Sequence, residues 1–150
     1  MKISEHLTPS LIKIGLESEE KDELFEEMVH LFVENGLIED REKAVQTLIE
    51  REDQMSTGIG NGLALPHGKL EEASGLLMAL GISQDGIEYD AIDDEPVYVV
   101  IAVFAEIGNP GPHIEALAEI SRVFTAPGFM NRIRQASTPQ QVLELFKAEE

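Results

Sequence analysis

The chain has no cysteine among its 150 residues. That excludes disulfide staples and every thiolate zinc site. No apolar run is long enough to cross a bilayer, and Met1-Lys2-Ile3-Ser4 does not open a secretory signal. A cytoplasmic protein is therefore expected. Basic residues are scarce: 11 Lys and Arg stand against 29 Asp and Glu, a formal charge of −18. Such a surface repels a polyanion, which argues against nucleic acid. It favours partners with a basic face, although acidity also serves plain solubility. Repeats, low-complexity tracts and linker-like stretches are missing as well, so one domain over residues 1–150 is expected. The apolar fraction of 43% is enough for a core and places the chain with folded globular proteins.

Helices are expected at both ends of the chain, with strands between them. Over residues 20–35, Leu24, Met28, Leu31 and Phe32 fall on one stripe; Ser18 and Glu19 suit the start and Gly36 the stop. A second helix over residues 40–53 begins at the cap Asp40 and turns Val45, Leu48 and Ile49 inward. The period then changes. Residues 60–65 and 76–82 read as strands, Asp85-Gly86 as a turn, and residues 87–89 as a short edge strand. The run VYVVIAVF at 97–104 is β-branched, apolar and uncharged, as a strand buried on both faces would be. After Pro110-Gly111-Pro112 a helix is expected over 113–124, with Ile114, Leu117, Ala118, Ile120 and Ser121 along its inner side. A short helix follows at 129–135. The last begins at Thr138-Pro139-Gln140-Gln141, which combines a capping-box threonine, a proline at the first helical position and a glutamine at the third. This order predicts an α/β sandwich around a mixed β-sheet.

The stretch most suited to chemistry is residues 51–69, REDQMSTGIGNGLALPHGK. Three glycines lead into Leu63-Ala64-Leu65, and that run delivers His67 between Pro66 and Gly68. A proline before and a glycine after an imidazole hold it rigidly and leave room beside it. Its unprotonated nitrogen can serve as nucleophile, base or metal ligand. His113 follows the long strand at the start of a helix, where free N–H groups and the positive dipole end suit an anion; an incidental surface position is the alternative. Arg51 could neutralise charge on a phosphoryl group or make a helix-surface ion pair. Ser56 and Thr57 add hydroxyls next to the glycine loop, though such residues also cap turns. His6 and His30 have no local partners that imply chemistry. The glycines match neither a Walker loop nor a dinucleotide fingerprint. Asp90, Asp93, Asp94 and Glu95 lack EF-hand spacing and read as a solvated turn. No His-Glu-x-x-His pattern and no Gly-x-Ser-x-Gly elbow occurs, so neither a metal site nor a serine triad is expected.

The signature at residues 52–68, ending IGNGLALPHG, resembles the phosphorylation site of the enzyme IIA domains of the bacterial phosphoenolpyruvate-dependent phosphotransferase system, fructose/mannitol type. That group includes the nitrogen-regulatory IIA proteins. The likeness extends to Leu7-Thr8-Pro9, to the helix before Arg51, to the apolar strand and to HIEALAEIS at 113–121. It implies a mixed β-sheet with helices on both sides. It also implies that His67 is the phosphorylated histidine, His113 the second active-site histidine and Arg51 the arginine close by, with Ser56 and Thr57 as neighbours of the site. The implied donor is the phosphocarrier HPr, and the acceptor is a IIB domain or a regulatory target. No cofactor or metal is implied, because the donor is itself a phosphoramidate; any link to a membrane would run through a IIC permease. Where the family often has a proline after the long strand, this chain has Ala105-Glu106. A chain standing without IIB, IIC or HPr segments leans toward a regulatory role, and a binding module that kept the fold without phosphotransfer is the alternative.

Overall fold

A computed structural model describes all residues, Met1–Glu150. Two 3-10 turns, Ile3–Glu5 and Pro9–Leu11, lead into strand β1 (Ile12–Ile14). Helices α1 (Lys21–Glu34) and α2 (Arg41–Gln54) follow, then strands β2 (Gly58–Gly60), β3 (Leu63–Ala64), β4 (His67–Leu70), β5 (Leu76–Ile87) and β6 (Val97–Glu106). Helices α3 (Gly111–Phe124), α4 (Phe129–Arg134) and α5 (Pro139–Glu149) close the chain. The six strands form one sheet in the order β1-β5-β6-β3-β2, with β4 also paired to β6. It is mixed: β5 runs antiparallel to β6, while β3 and β4 run parallel to it.

β6 explains why its sequence has no polar alternation. Val100, Ala102 and Phe104 pack into a core shared with α1 and α2. Val99, Ile101 and Val103 pack into a second core shared with α3, α4 and α5. Helix layers therefore cover both faces, as expected, and a strand between two layers needs apolar residues at every position. The caps expected at Asp40 and Thr138 form: Asp40 accepts from Lys43 N at 3.1 Å and Thr138 from Gln141 N at 3.2 Å.

Three expectations change. Residues 60–65 are not one strand but the hairpin β2–β3, turned at Asn61-Gly62 with φ of 56° and 86°. An Asn-Gly pair between apolar residues is the turn suited to positive φ at both positions. Asp85-Gly86 is not a reversal. β5 runs through it to Ile87, and its register against β6 jumps from Ile82↔Val99 to Ile87↔Val97. Gly86, at φ 91°, accommodates this bulge against Pro96 and Tyr98. Finally, α3 buries Ala116, Ile120 and Val123, whereas Ile114 is 64% exposed and Ala118 and Ser121 face solvent. The helix is turned so that His113, on the stripe of Ala116 and Ile120, leans toward the sheet. Strands β1 and β4 were not anticipated.

Candidate active site

β3 and β4 lie along the same side of β6 in one continuous register, from Ala64↔Val100 to His67↔Val103. The break between them is Leu65-Pro66. Pro66 has no N–H to donate, but its carbonyl accepts from Val103 N at 3.0 Å. Leu65 N turns to Thr57 O at 2.9 Å. His67 is thus the first residue of β4. Period two puts it on the face of Val103, under α3. Gly68 points the other way, where a Cβ would meet Thr47 Cγ2 at 2.4 Å. The glycine therefore lets α2 close on the strand beside the histidine.

The His67 ring is half-buried, and its Nδ1 lies 2.7 Å from Leu65 O. A carbonyl only accepts, so Nδ1 carries the hydrogen and Nε2 keeps a free lone pair. Burial pushes the imidazole below the ordinary histidine range. The bond to Leu65 opposes that, Arg51 adds to it, and Glu52 opposes it. His113 is the third residue of α3, and its ring centroid is 4.8 Å from that of His67 at 83°, an edge-to-face pair. Burial lowers its pKa too, followed by the charges of His67, Lys69 and Arg51. Both rings are therefore neutral near pH 7.

Arg51 comes from α2, in the opposite helix layer, and its charge acts on both rings. Its guanidinium donates to Met55 O at 2.9 Å and makes no ion pair, so the surface-pair alternative does not apply. Lys69 was missed by sequence reasoning. It is exposed, makes no ion pair and lies two residues after His67 on the same face of β4. The available signal was period two, but it could be applied only once a strand was known to begin at His67. In a chain with 11 basic residues, two unpaired cations beside two histidines concentrate positive charge.

The hydroxyls of the glycine loop are turned to other work. Ser56 Oγ accepts from Gly58 N at 3.1 Å. Thr57 is buried, with its hydroxyl between Glu52 and Tyr89 OH, the latter at 2.6 Å. His30 pairs with Glu34 and Arg41 on the outside of α1, and His6 ends the first 3-10 turn; neither joins the site. Asp93 accepts from Asn61 N at 3.0 Å and Glu95 N at 3.1 Å, which makes its cluster a brace for the hairpin turn. A cleft of about 880 Å³, lined mostly by carboxylates from residues 19–22 and 85–96, contains neither histidine.

Such an arrangement has a nucleophilic nitrogen, a second imidazole at its edge, two cations and the free N–H groups of a helix start. It is equipped to receive and release a small anionic group. Comparisons with known proteins identify the family. The fructose-specific EIIABC component of Bacillus subtilis is 33% identical over 97% of this chain, which spans only 23% of that longer protein. The nitrogen regulatory protein homolog of Haemophilus influenzae is 31% identical, covering 98% of this chain and 92% of its own length. The crystal structure of nitrogen regulatory protein IIA-Ntr from Neisseria meningitidis superposes with a TM-score of 0.89 at 26% identity, over 96% of this chain and 98% of that one. The profile described as "Phosphoenolpyruvate-dependent sugar phosphotransferase system, EIIA 2" matches residues 5–149, and the chain belongs to that family.

Proposed function

We propose that the chain, acting as one unit over residues 1–150, is a phosphohistidine carrier. It takes a phosphoryl group from HPr onto His67 and passes it to a IIB domain or a regulatory target. The observation that carries this reading is the bond from His67 Nδ1–H to Leu65 O, which leaves Nε2 as an aimed and unprotonated nucleophile. In the exchange, the Nε2 lone pair forms the new P–N bond as the donor's P–N bond breaks. The departing imidazole keeps the bonding pair. Arg51, Lys69 and the first turn of α3 face the phosphoryl oxygens, and the His113 ring edge donates to one of them. Onward transfer is the same step in reverse with a new partner. The cytoplasm is where such a donor would be met.

The test is the intact mass after incubation with phosphoenolpyruvate, enzyme I and HPr. A single acid-labile phosphate is expected, absent from His67→Ala. His113→Ala is expected to keep part of its acceptance and to lose roughly 10²-fold in onward transfer, the scale of one lost stabilising donor. Full labelling of His67→Ala would move the site elsewhere. No label, with HPr shown to be charged, would leave a binding module that has the fold without the chemistry. Transfer to a IIB domain would separate a transport carrier from a regulatory one.

A further inference from the structure

We propose that Glu52 is a positioning residue for this exchange: its buried carboxylate sets the place of the His67 ring and of Arg51. The proposal rests on the carrier reading above. Glu52 is only 9% exposed and sits in the last turn of α2. A carboxylate there is disfavoured twice, by burial and by the negative end of the helix dipole. It is held by a dense set of donors. Thr57 N lies 2.9 and 3.1 Å from its two oxygens, Thr57 Oγ1 at 2.5 Å and Lys21 Nζ at 3.0 Å. Tyr89 OH stands at 3.5 Å and also meets Thr57 Oγ1 at 2.6 Å.

From that anchor an unbroken line of bonds runs to the reactive ring. Glu52 holds Thr57 N, Thr57 O accepts from Leu65 N, and Leu65 O accepts from His67 Nδ1–H. The same segment fixes Arg51, whose guanidinium closes onto Met55 O between the two ends of the loop. The glycine loop is thus clamped from beneath: Gly58 lies so close to Tyr89 and Ala91 that a Cβ would meet them at 2.7–2.9 Å. Helix stability does not explain a charged group here, since an apolar residue would cost less. Its position explains it, because a shift of about 1 Å in a reacting group costs on the order of 10²-fold in rate. Besides Glu52, the charged or titratable groups near His67 are Arg51 and His113; those near His113 are His67, Lys69 and Arg51.

The experiment uses the full chain and two readouts. One is the pH titration of the His67 ring by NMR in the free protein. The other is single-turnover phosphorylation from charged HPr, with rate measured against donor concentration. Glu52→Gln is expected to move the His67 titration downward, because the negative charge that favours imidazolium is gone while Arg51 remains. It is also expected to lower the saturating rate about tenfold or more, with donor affinity changed less than threefold. A structural role alone would leave the ring titration and the saturating rate of the folded fraction within twofold of wild type, and that result would overturn the proposal. Should Glu52→Gln fail to fold, Tyr89→Phe removes one hydroxyl from the same clamp with the charge intact. A loss of rate without a shift in the His67 titration is then expected, and an unchanged rate overturns the proposal. If the wild type takes no phosphate, the carrier reading fails, and the ring titration alone decides whether Glu52 acts on His67.

Discussion

In the proposed carrier, His67 is an imidazole whose two nitrogens have different surroundings. Leu65 O takes the Nδ1 hydrogen at 2.7 Å, so the phosphoryl group is expected on Nε2. Nitrogen NMR of the charged protein checks this, and a signal from phosphate on Nδ1 would break the argument. Lys69 belongs to the same scale. Its charge disfavours a protonated His113, so Lys69→Met is expected to raise the His113 titration and to slow acceptance several-fold, about the loss of one exposed charge-assisted contact. An unmoved His113 titration would place Lys69 outside the site. The unusual setting of His67 was legible because Pro66 and Gly68 are costly neighbours in a strand. Lys69 and Glu52 were not legible. A lysine after Pro-His-Gly and a glutamate in an acidic helix are ordinary; only the charge that Lys69 brings to bear on His113, and the bonds of Glu52 to Thr57 and Lys21, distinguish them.

Elements place these residues by sterics as much as by hydrogen bonds. Gly68 faces α2 with no room for a Cβ, because Thr47 Cγ2 stands 2.4 Å from where it would be. Thr47 cannot rotate freely, since its hydroxyl donates to Lys43 O at 2.8 Å. Gly68→Ala is therefore expected to destabilise the fold by about 1–3 kcal/mol, the usual cost of overpacking. Thr47→Ser removes the offending methyl and keeps the hydroxyl, so it should recover most of that loss in the double variant. Urea unfolding of the two single variants and the double variant measures the coupling; additive effects would reject the contact. The bulge at Gly86 and the turn of α3 show where local pattern misleads. Asp85-Gly86 is compatible with both a reversal and a bulge, and only pairing to Val97 selects the bulge. Ile114 looks like a core residue by type, yet the rotation that brings His113 to His67 leaves it in solvent.

For the molecule, one sheet between two cores must hold together a chain of net charge −18. Two carboxylates tie neighbouring elements together on the α1/α2 side. Glu52 joins α2 to Lys21, and Glu27 joins α1 to Lys13 on β1 at 2.7 Å and to Glu17 N and Ser18 N. Burial raises both pKa values, but the bonds they accept outweigh it and hold both below the usual carboxylate range. Their contribution is complete above the unfolded carboxylate value of about 4.3 and fades as pH falls through the depressed folded values. Burial holds His67 and His113 below their unfolded value of about 6.5, so the unfolded chain binds protons first and stability already declines below that pH. Unfolding midpoints are therefore expected to drop from pH 7.5 to 5.5, with a shallower drop in His67→Asn. An equal drop in both would mean that His67 contributes nothing to the slope.

By itself the sequence determined the helix periods, the caps at Asp40 and Thr138, the doubly buried strand and the rigid setting of His67. Each is written in neighbours a few residues apart, where backbone sterics and side-chain period act directly. Tertiary structure decided which groups gather around His67. Arg51 comes from one helix layer, His113 from the other and Lys69 from the strand between; the register of β4 beside β6 brings the His67 and His113 rings together, and the two cations act on them by charge. It also decided that Glu52 stands behind the glycine loop, for a buried carboxylate can persist only where Thr57, Lys21 and Tyr89, distant along the chain, meet it together.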